Sequence, residues 1–187
     1  MKEKILAAYA ERYPEMYDYF KPQDYQCPEL SKEDISELAH YDNACLYNDN
    51  VVTEITHRFM HRDTIVIYMP DHGEMCFDGS KTFGRTLEVN TPNEVYQQFK
   101  IPFWIWTSPI FRKNHPDIVQ QIIKAKNRLF KTDNISQLLL YLAEISTPYY
   151  REEDNLISPC YNIGRKRMLM GTIPYDEYLH KNRCYNP

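Results

Sequence analysis

The chain has 187 residues, 43% hydrophobic and 26% charged, with 22 Lys and Arg against 26 Asp and Glu for a net charge of -4. That length suits one domain, residues 1–187, with a core of its own, and no apolar run of about 18 residues that could span a bilayer occurs. The acidic balance argues against a nucleic-acid binder, which needs a basic face to neutralise phosphates.

The start, MKEKILAAYAERYP, is charged and lacks the apolar stretch of a secretory signal. Prolines at 14, 22 and 28 forbid a long helix over the tyrosine-rich segment that follows, so turns or a short helix packed by tyrosines are expected there. From Ser31 the pattern changes. Ser31 with Asp34 forms a cap signature, and Ile35, Leu38, Cys45, Val52, Ile55 and Phe59 recur at helical spacing, predicting a long helix to about Arg62. Within it, YDNACLYNDN (41–50) carries five Asp or Asn residues, which weaken helices. Either the helix breaks there, or Asp42, Asn43 or Asp49 faces a polar interior or site.

TIVIYMP (64–70) is apolar at consecutive positions, three of them β-branched (Ile65, Val66 and Ile67), the pattern of a strand buried on both faces as in a parallel sheet. IPFWIWTSP (101–109) is a second such strand, with Trp104 and Trp106 as packing residues. The intervening thirty residues are polar, hold three of the five glycines, and read as a long loop with a short strand over 86–89. Asn114, Pro116 and Asp117 make a cap for an amphipathic helix of about 15 residues, and Thr132-Asp133 starts another over NISQLLLYLAEI. From Thr147 the chain reads as a loop with short strands or a small hairpin.

Chemistry gathers where the first strand ends, in YMPDHGEMC (68–76). Ligands of open α/β sheets sit beyond the carboxyl ends of strands. A carboxylate and a neutral imidazole suit Zn²⁺, and Gly73 lets the backbone turn so that Asp71 and His72 reach one ion. The bland alternative is a turn cap and an ordinary loop histidine. Glu74 is either a support for that pair or a turn residue. Other signals point to structure: Ser108 lacks a G-x-S-x-G elbow, and His57 and His61 lack the glutamate of H-E-x-x-H. The Gly164–Arg167 run reads as a solvated surface. Five cysteines, Cys27, Cys45, Cys76, Cys160 and Cys184, carry no C-x-x-C and leave at least one thiol unpaired.

The order YDNACLYNDNVV, DTIVIYMPDHGE, a long loop, IPFWIWTSP and TDNISQLLLYLAEI resembles the C-terminal part of the sulfatase-like phosphoethanolamine transferases of the alkaline phosphatase superfamily. RYPEMYDYFKP is similar to the segment that follows a histidine-containing motif in that family, and the likeness runs over about residues 9 to 162. It implies part of an αβα sandwich with a mostly parallel sheet, and zinc-dependent transfer of phosphoethanolamine from phosphatidylethanolamine to lipid A or a related glycolipid. It also implies an inner-membrane protein whose catalytic domain faces the periplasm. Asp71 and His72 match the family's D-H-G zinc ligands. The acidic ligand and the nucleophilic threonine fall upstream of Met1, so the chain is expected to hold a partial zinc site, to bind zinc weakly, and to need the N-terminal part of the domain or an oligomer. In the loop, Thr82-Phe83-Gly84 stands where relatives tend to have Leu-His-Gly, which puts a contact from that loop in doubt. A non-catalytic remnant or interaction module of the same fold, and a related sulfatase or phosphodiesterase, are the other readings.

Overall fold

The computed structural model describes residues 13–86 and 91–181, and its longest element is the helix set by the Ser31 cap. Helix α1, Lys32–Phe59, starts with Ser31 Oγ accepting from Asp34 N at 3.1 Å and the Asp34 carboxylate accepting in return from Ser31 N. It runs unbroken through the Asp/Asn-rich stretch. The reason is tertiary: Asn43 is fully buried, its Oδ1 accepts from Tyr19 N at 2.9 Å and Phe20 N at 2.8 Å, and its Nδ2 donates to Phe20 O at 2.9 Å. The amide thus imitates a peptide group toward residues 18–20. Asp42 accepts from the Tyr25 hydroxyl at 2.6 Å, and Tyr17 packs on Tyr47 with ring centroids 5.0 Å apart. Two short 3₁₀ turns, Glu15–Tyr17 and Pro22–Asp24, complete this strap along α1.

Strand β1, Ile65–Tyr68, pairs with β4, Trp104–Thr107, in register Ile65 with Thr107 through Tyr68 with Trp104. The pairing is antiparallel, as it is for every strand pair among the described residues. Consecutive apolar positions had suggested a parallel sheet, but such a run reports burial on two faces and carries no information on strand direction. Burial is itself half achieved: all eight residues of the pair remain partly exposed.

The long loop is more structured than its composition suggests. It holds a hairpin of β2, Met75–Cys76, with β3, Phe83–Gly84, and then helix α2, Pro92–Phe99. The signal for α2 was present in T-P-N-E: Thr91 Oγ1 accepts from Glu94 N, the Glu94 carboxylate accepts from Thr91 N, and Pro92 opens the first turn. Thr86 lies outside any strand, and residues 87–90 of the expected short strand lie outside the described residues.

After β4 come α3, Pro109–Asn114, and α4, Pro116–Ala125, shorter than expected because the helix stops before Leu129 and Phe130. Asn114 is not the cap of α4. It closes α3 and donates from Nδ2 to Asp63 Oδ2 at 2.9 Å, while His115 takes the cap position. A 3₁₀ turn at Thr132–Asn134 leads into α5, Ile135–Leu142. Ala125, Leu138, Leu156, Ile157 and Tyr161 form the main core against Ile67, Phe103 and Ile105 of the strand region. Complete burial of Leu138 contributes about 1.5–3 kcal/mol. The chain ends in the hairpin β5, Met168–Leu169, with β6, Ile173–Pro174, and a helix not foreseen from sequence, α6, Tyr175–Lys181. Leu169, Tyr175, Tyr178 and Leu179 pack there on Val95 of α2.

Replacing Asn43 with Ala removes the acceptor for two backbone N–H groups and the donor to a carbonyl. Stability should fall by on the order of 3 kcal/mol, with amide exchange at Tyr19 and Phe20 rising more than elsewhere. Urea unfolding and hydrogen exchange measure both, and an unchanged unfolding midpoint would contradict the role given to Asn43.

Candidate metal centre

Asp71 and His72 leave the end of β1 after Met69 and Pro70, and the local backbone arranges them toward each other. Asp71 Oδ1 accepts from His72 N at 3.1 Å, and Asp71 Oδ2 stands 3.6 Å from His72 Nε2. On the other side of the ring, Nδ1 lies 2.8 Å from Gly73 O. A carbonyl can only accept, so Nδ1 carries a proton, and the lone pair open to a metal in the neutral form of the ring is at Nε2. Tying one imidazole nitrogen to a carbonyl so that the other is left for a metal is the usual arrangement of a histidine ligand. Bonds of 2.0–2.1 Å in a tetrahedral site separate two donors by roughly 3.3–3.4 Å, so a spacing of 3.6 Å needs only a small adjustment. The donor set therefore fits a Zn²⁺ ion, and Asp71, largely exposed, is open to it from solvent. Among the described residues no group of three or more metal-ligating side chains forms, so Asp71 and His72 stand as two possible donors without a third.

What holds the pair in place is α2. Gly73 N donates to Gln98 O at 3.0 Å. A Cβ at Gly73 would lie 2.0 Å from Gln97 O, inside any allowed contact with a backbone atom. Glycine was read from sequence as a freedom to turn; its use here is the room it leaves for a helix end. α2 also holds the rest of the loop: Asn93 Nδ2 and Gln97 Nε2 both donate to Asp78 O, and Gln98 Oε1 accepts from Thr86 N at 3.0 Å. These clamps could have been suspected only after T-P-N-E had been recognised as a helix start.

Glu74 faces the hairpin rather than the pair's exposed side: its Oε1 is 3.8 Å from where a Cβ on Gly84 would sit. Phe83, in the loop triplet Thr82-Phe83-Gly84, packs edge-on against Tyr41 with centroids 5.7 Å apart and tilted against Phe77 at 5.4 Å. Beside it, burial pushes the Cys76 thiol up to about 12, the Tyr41 hydroxyl bond pulls the other way, and the carboxylates of Glu74 and Asp78 add to the rise. An open groove of about 2120 Å³ begins at Asp71 and His72 and runs past Arg85, Lys100, Phe103 and Ile105.

The remaining sequence candidates are structural. Ser108 is fully buried, with Oγ donating to Arg62 O at 2.5 Å and accepting from Phe111 N at 3.0 Å, which makes it the cap of α3. His57 and His61 are exposed at the end of α1. The basic run is paired rather than simply solvated: Arg165 binds Asp133 through two bonds of 3.0 Å, Lys166 meets Glu177 at 2.8 Å, and Arg167 meets Asp176.

The sulfatase family model matches residues 6–145. The chain belongs to the sulfatase family. Phosphoethanolamine transferase EptC of Escherichia coli is 35% identical over 188 residues, which cover 95% of this sulfatase chain and 31% of that protein. Phosphoethanolamine transferase CptA of Salmonella typhimurium is 30% identical over 186 residues, 91% of this chain and 31% of the relative. The crystal structure of the C-terminal periplasmic domain of E. coli EptC in complex with Zn superposes with a TM-score of 0.70 at 28% identity, over 94% of this chain and 51% of that domain. This sulfatase chain thus spans about a third of the curated relatives and about half of the solved domain. That EptC domain is periplasmic, and no helix among the described residues here is long and apolar enough to cross a membrane.

Two outcomes follow. Gly73→Ala should destabilise the fold by about 1–3 kcal/mol and raise amide exchange in α2, and an unaltered urea midpoint would contradict the close approach of Gly73 to α2. Iodoacetamide at pH 8 should alkylate Cys76 roughly a hundredfold more slowly in the folded chain than in urea; mass spectrometry of the labelled peptides reads this, and equal rates would contradict a thiol held protonated by burial.

Proposed function

We propose that this chain is the C-terminal portion of a zinc-dependent phosphoethanolamine transferase domain, with Asp71 and His72 as two of its metal ligands. The observation that carries the reading is the 3.6 Å spacing of Asp71 Oδ2 and His72 Nε2, with Nδ1 tied to Gly73 O. The relatives named above and the zinc-bound periplasmic domain of one of them support the choice of metal and reaction. A bound zinc supplies Lewis-acid polarisation of phosphoryl oxygens and lowers the pKa of a coordinated hydroxyl. The chain's own residues orient the two ligands, fix the imidazole tautomer, and offer Arg85 and Lys100 along the groove for anionic groups.

On this reading the phosphoethanolamine donor is phosphatidylethanolamine, the acceptor is a phosphate of lipid A or a related glycolipid, and the domain works in the periplasm beside the inner membrane. Residues 1–187 form one unit, and the rest of the domain completes it. Both edges of the β1–β4 pair lack a further strand among the described residues. Ile123 and Leu129 on the groove wall are 57% and 58% exposed. A mostly parallel sheet arises once strands from the N-terminal part of the domain add to those edges, and their addition brings the remaining ligand and the nucleophile to Asp71 and His72.

Calorimetric titration of the chain with zinc at neutral pH tests the site. Weak binding is expected, because two ligands leave half of a tetrahedral shell to water. Asp71→Ala and His72→Ala should each weaken it at least tenfold, on the order of the loss that follows removal of a ligand or its support. Zinc affinity that is the same in both variants as in the unaltered chain would sink the assignment. Adding the N-terminal portion of the domain should restore transfer from phosphatidylethanolamine to lipid A, measured by mass spectrometry of the glycolipid. A reconstituted domain that binds zinc yet transfers nothing would favour a remnant that kept the fold without the chemistry.

A further inference from the structure

Helix α2 brings one more polar group to the groove. Gln98 is 1% exposed and lines the same groove as Asp71 and His72. Its carbonyl accepts from Gly73 N, so it sits directly against the D-H-G turn. Its side-chain oxygen is committed, accepting from Thr86 N at 3.0 Å, and that bond settles which end of the amide is oxygen and which is nitrogen. The nitrogen end is different: Nε2 has no hydrogen-bond partner among the described residues. Buried amide donors in folded proteins almost always have an acceptor. A group that merely held the loop to α2 would need only the oxygen.

The chemistry of what Nε2 can bind is narrow. It only donates, so neither a metal ion nor an ammonium group satisfies it, and its partner must be an acceptor oxygen. The charges along the groove select among acceptors. Arg85 and Lys100 line it, Lys100 with its ammonium on the Tyr96 hydroxyl, while of the acids that line it Asp133 and Asp176 are paired with Arg165 and Arg167 and Asp71 is the proposed metal ligand. We propose that Gln98 Nε2, itself buried in the wall of the groove, becomes accessible when a ligand parts that wall and gives a hydrogen bond to a phosphoryl oxygen bound beside Asp71 and His72. The inference rests on the metal and phosphoryl reading of that pair and adds to it the residue that positions the phosphoryl group from the α2 side.

Two substitutions separate this role from a structural one. Gln98→Glu keeps an acceptor for Thr86 N and replaces the donor, while Gln98→Met is close in volume and removes both. The zinc-loaded 187-residue chain and each variant are titrated with inorganic phosphate and, separately, with glycerophosphoethanolamine. Zinc affinity and amide exchange at Thr86 are measured alongside. For Gln98→Glu the expected result is unchanged zinc affinity, unchanged exchange at Thr86, and phosphoester affinity lower by roughly tenfold or more, the loss of one hydrogen bond to a charged group. Gln98→Met should show the same loss of phosphoester affinity with faster exchange at Thr86, and it carries the test if the Glu variant does not fold. Dependence on Gln98 with the diester assigns the contact to the donor headgroup, and dependence with inorganic phosphate alone assigns it to a free phosphate. No dependence with either probe, while zinc still binds, overturns the role of Gln98 and leaves the metal site standing. Failure of the unaltered chain to bind zinc overturns the metal reading and this inference with it.

Discussion

The approach of Gly73 to the last turn of α2 is the contact on which the candidate site depends. With Gln97 O 2.0 Å from where a side chain would begin and Gln98 O accepting from Gly73 N, the strand exit and the helix end are locked at backbone distance. His72 and Asp71 stand immediately before that lock, so their orientation is set by main-chain geometry rather than by flexible side chains. The same helix holds Asp78 and Thr86 through Asn93, Gln97 and Gln98, and is itself braced by Leu169 and Tyr175. Residues a hundred positions downstream thereby help fix an imidazole at the end of β1.

A second organisation centres on α1. Asn43 spends its amide on the backbone of Tyr19 and Phe20, and Asp42 its carboxylate on Tyr25, so polar residues that weaken a helix in isolation instead bind a strap to it. From the same helix, Tyr41 reaches the β2–β3 hairpin through Phe83, linking the strap to the loop beside the candidate site. The polar run in α1 and the aromatic residue at the loop position are two parts of one packing solution, in which the hairpin is held between α1 and α2.

Much of this was legible in the sequence. The Ser31 cap, the two apolar strand runs and the D-H-G-E turn lie in contiguous residues, and their physics is local: capping bonds span three positions, and buried strands need consecutive apolar side chains. The order of those blocks also carried the family. Helix α2 was missed because its capping box is short and sits in a polar, glycine-containing stretch, where composition outweighed the T-P-N-E signal. The apolar spacing predicts a longer α4 because Leu129 and Phe130 continue it, yet both lie in the irregular stretch past the turn that ends the helix. The basic run at 164–167 was assigned to the surface correctly, but its pairing with Asp133, Asp176 and Glu177 depends on residues up to 32 positions away.

By itself, the sequence determined which residues could bind a metal and where along the chain they lie, because ligand chemistry belongs to side-chain type and strand ends are marked by local pattern. Tertiary structure decided the rest. It held the turn that sets the imidazole tautomer, since Nδ1 meets the carbonyl of the next residue, Gly73, whose N–H is bonded to the end of α2. It set the direction of β1 against β4, since an apolar run is the same read either way. It also decided that Gly73 serves to admit a helix and that Gln98 reaches the groove, because both follow from a contact between segments some twenty-five residues apart whose closeness no local interaction encodes.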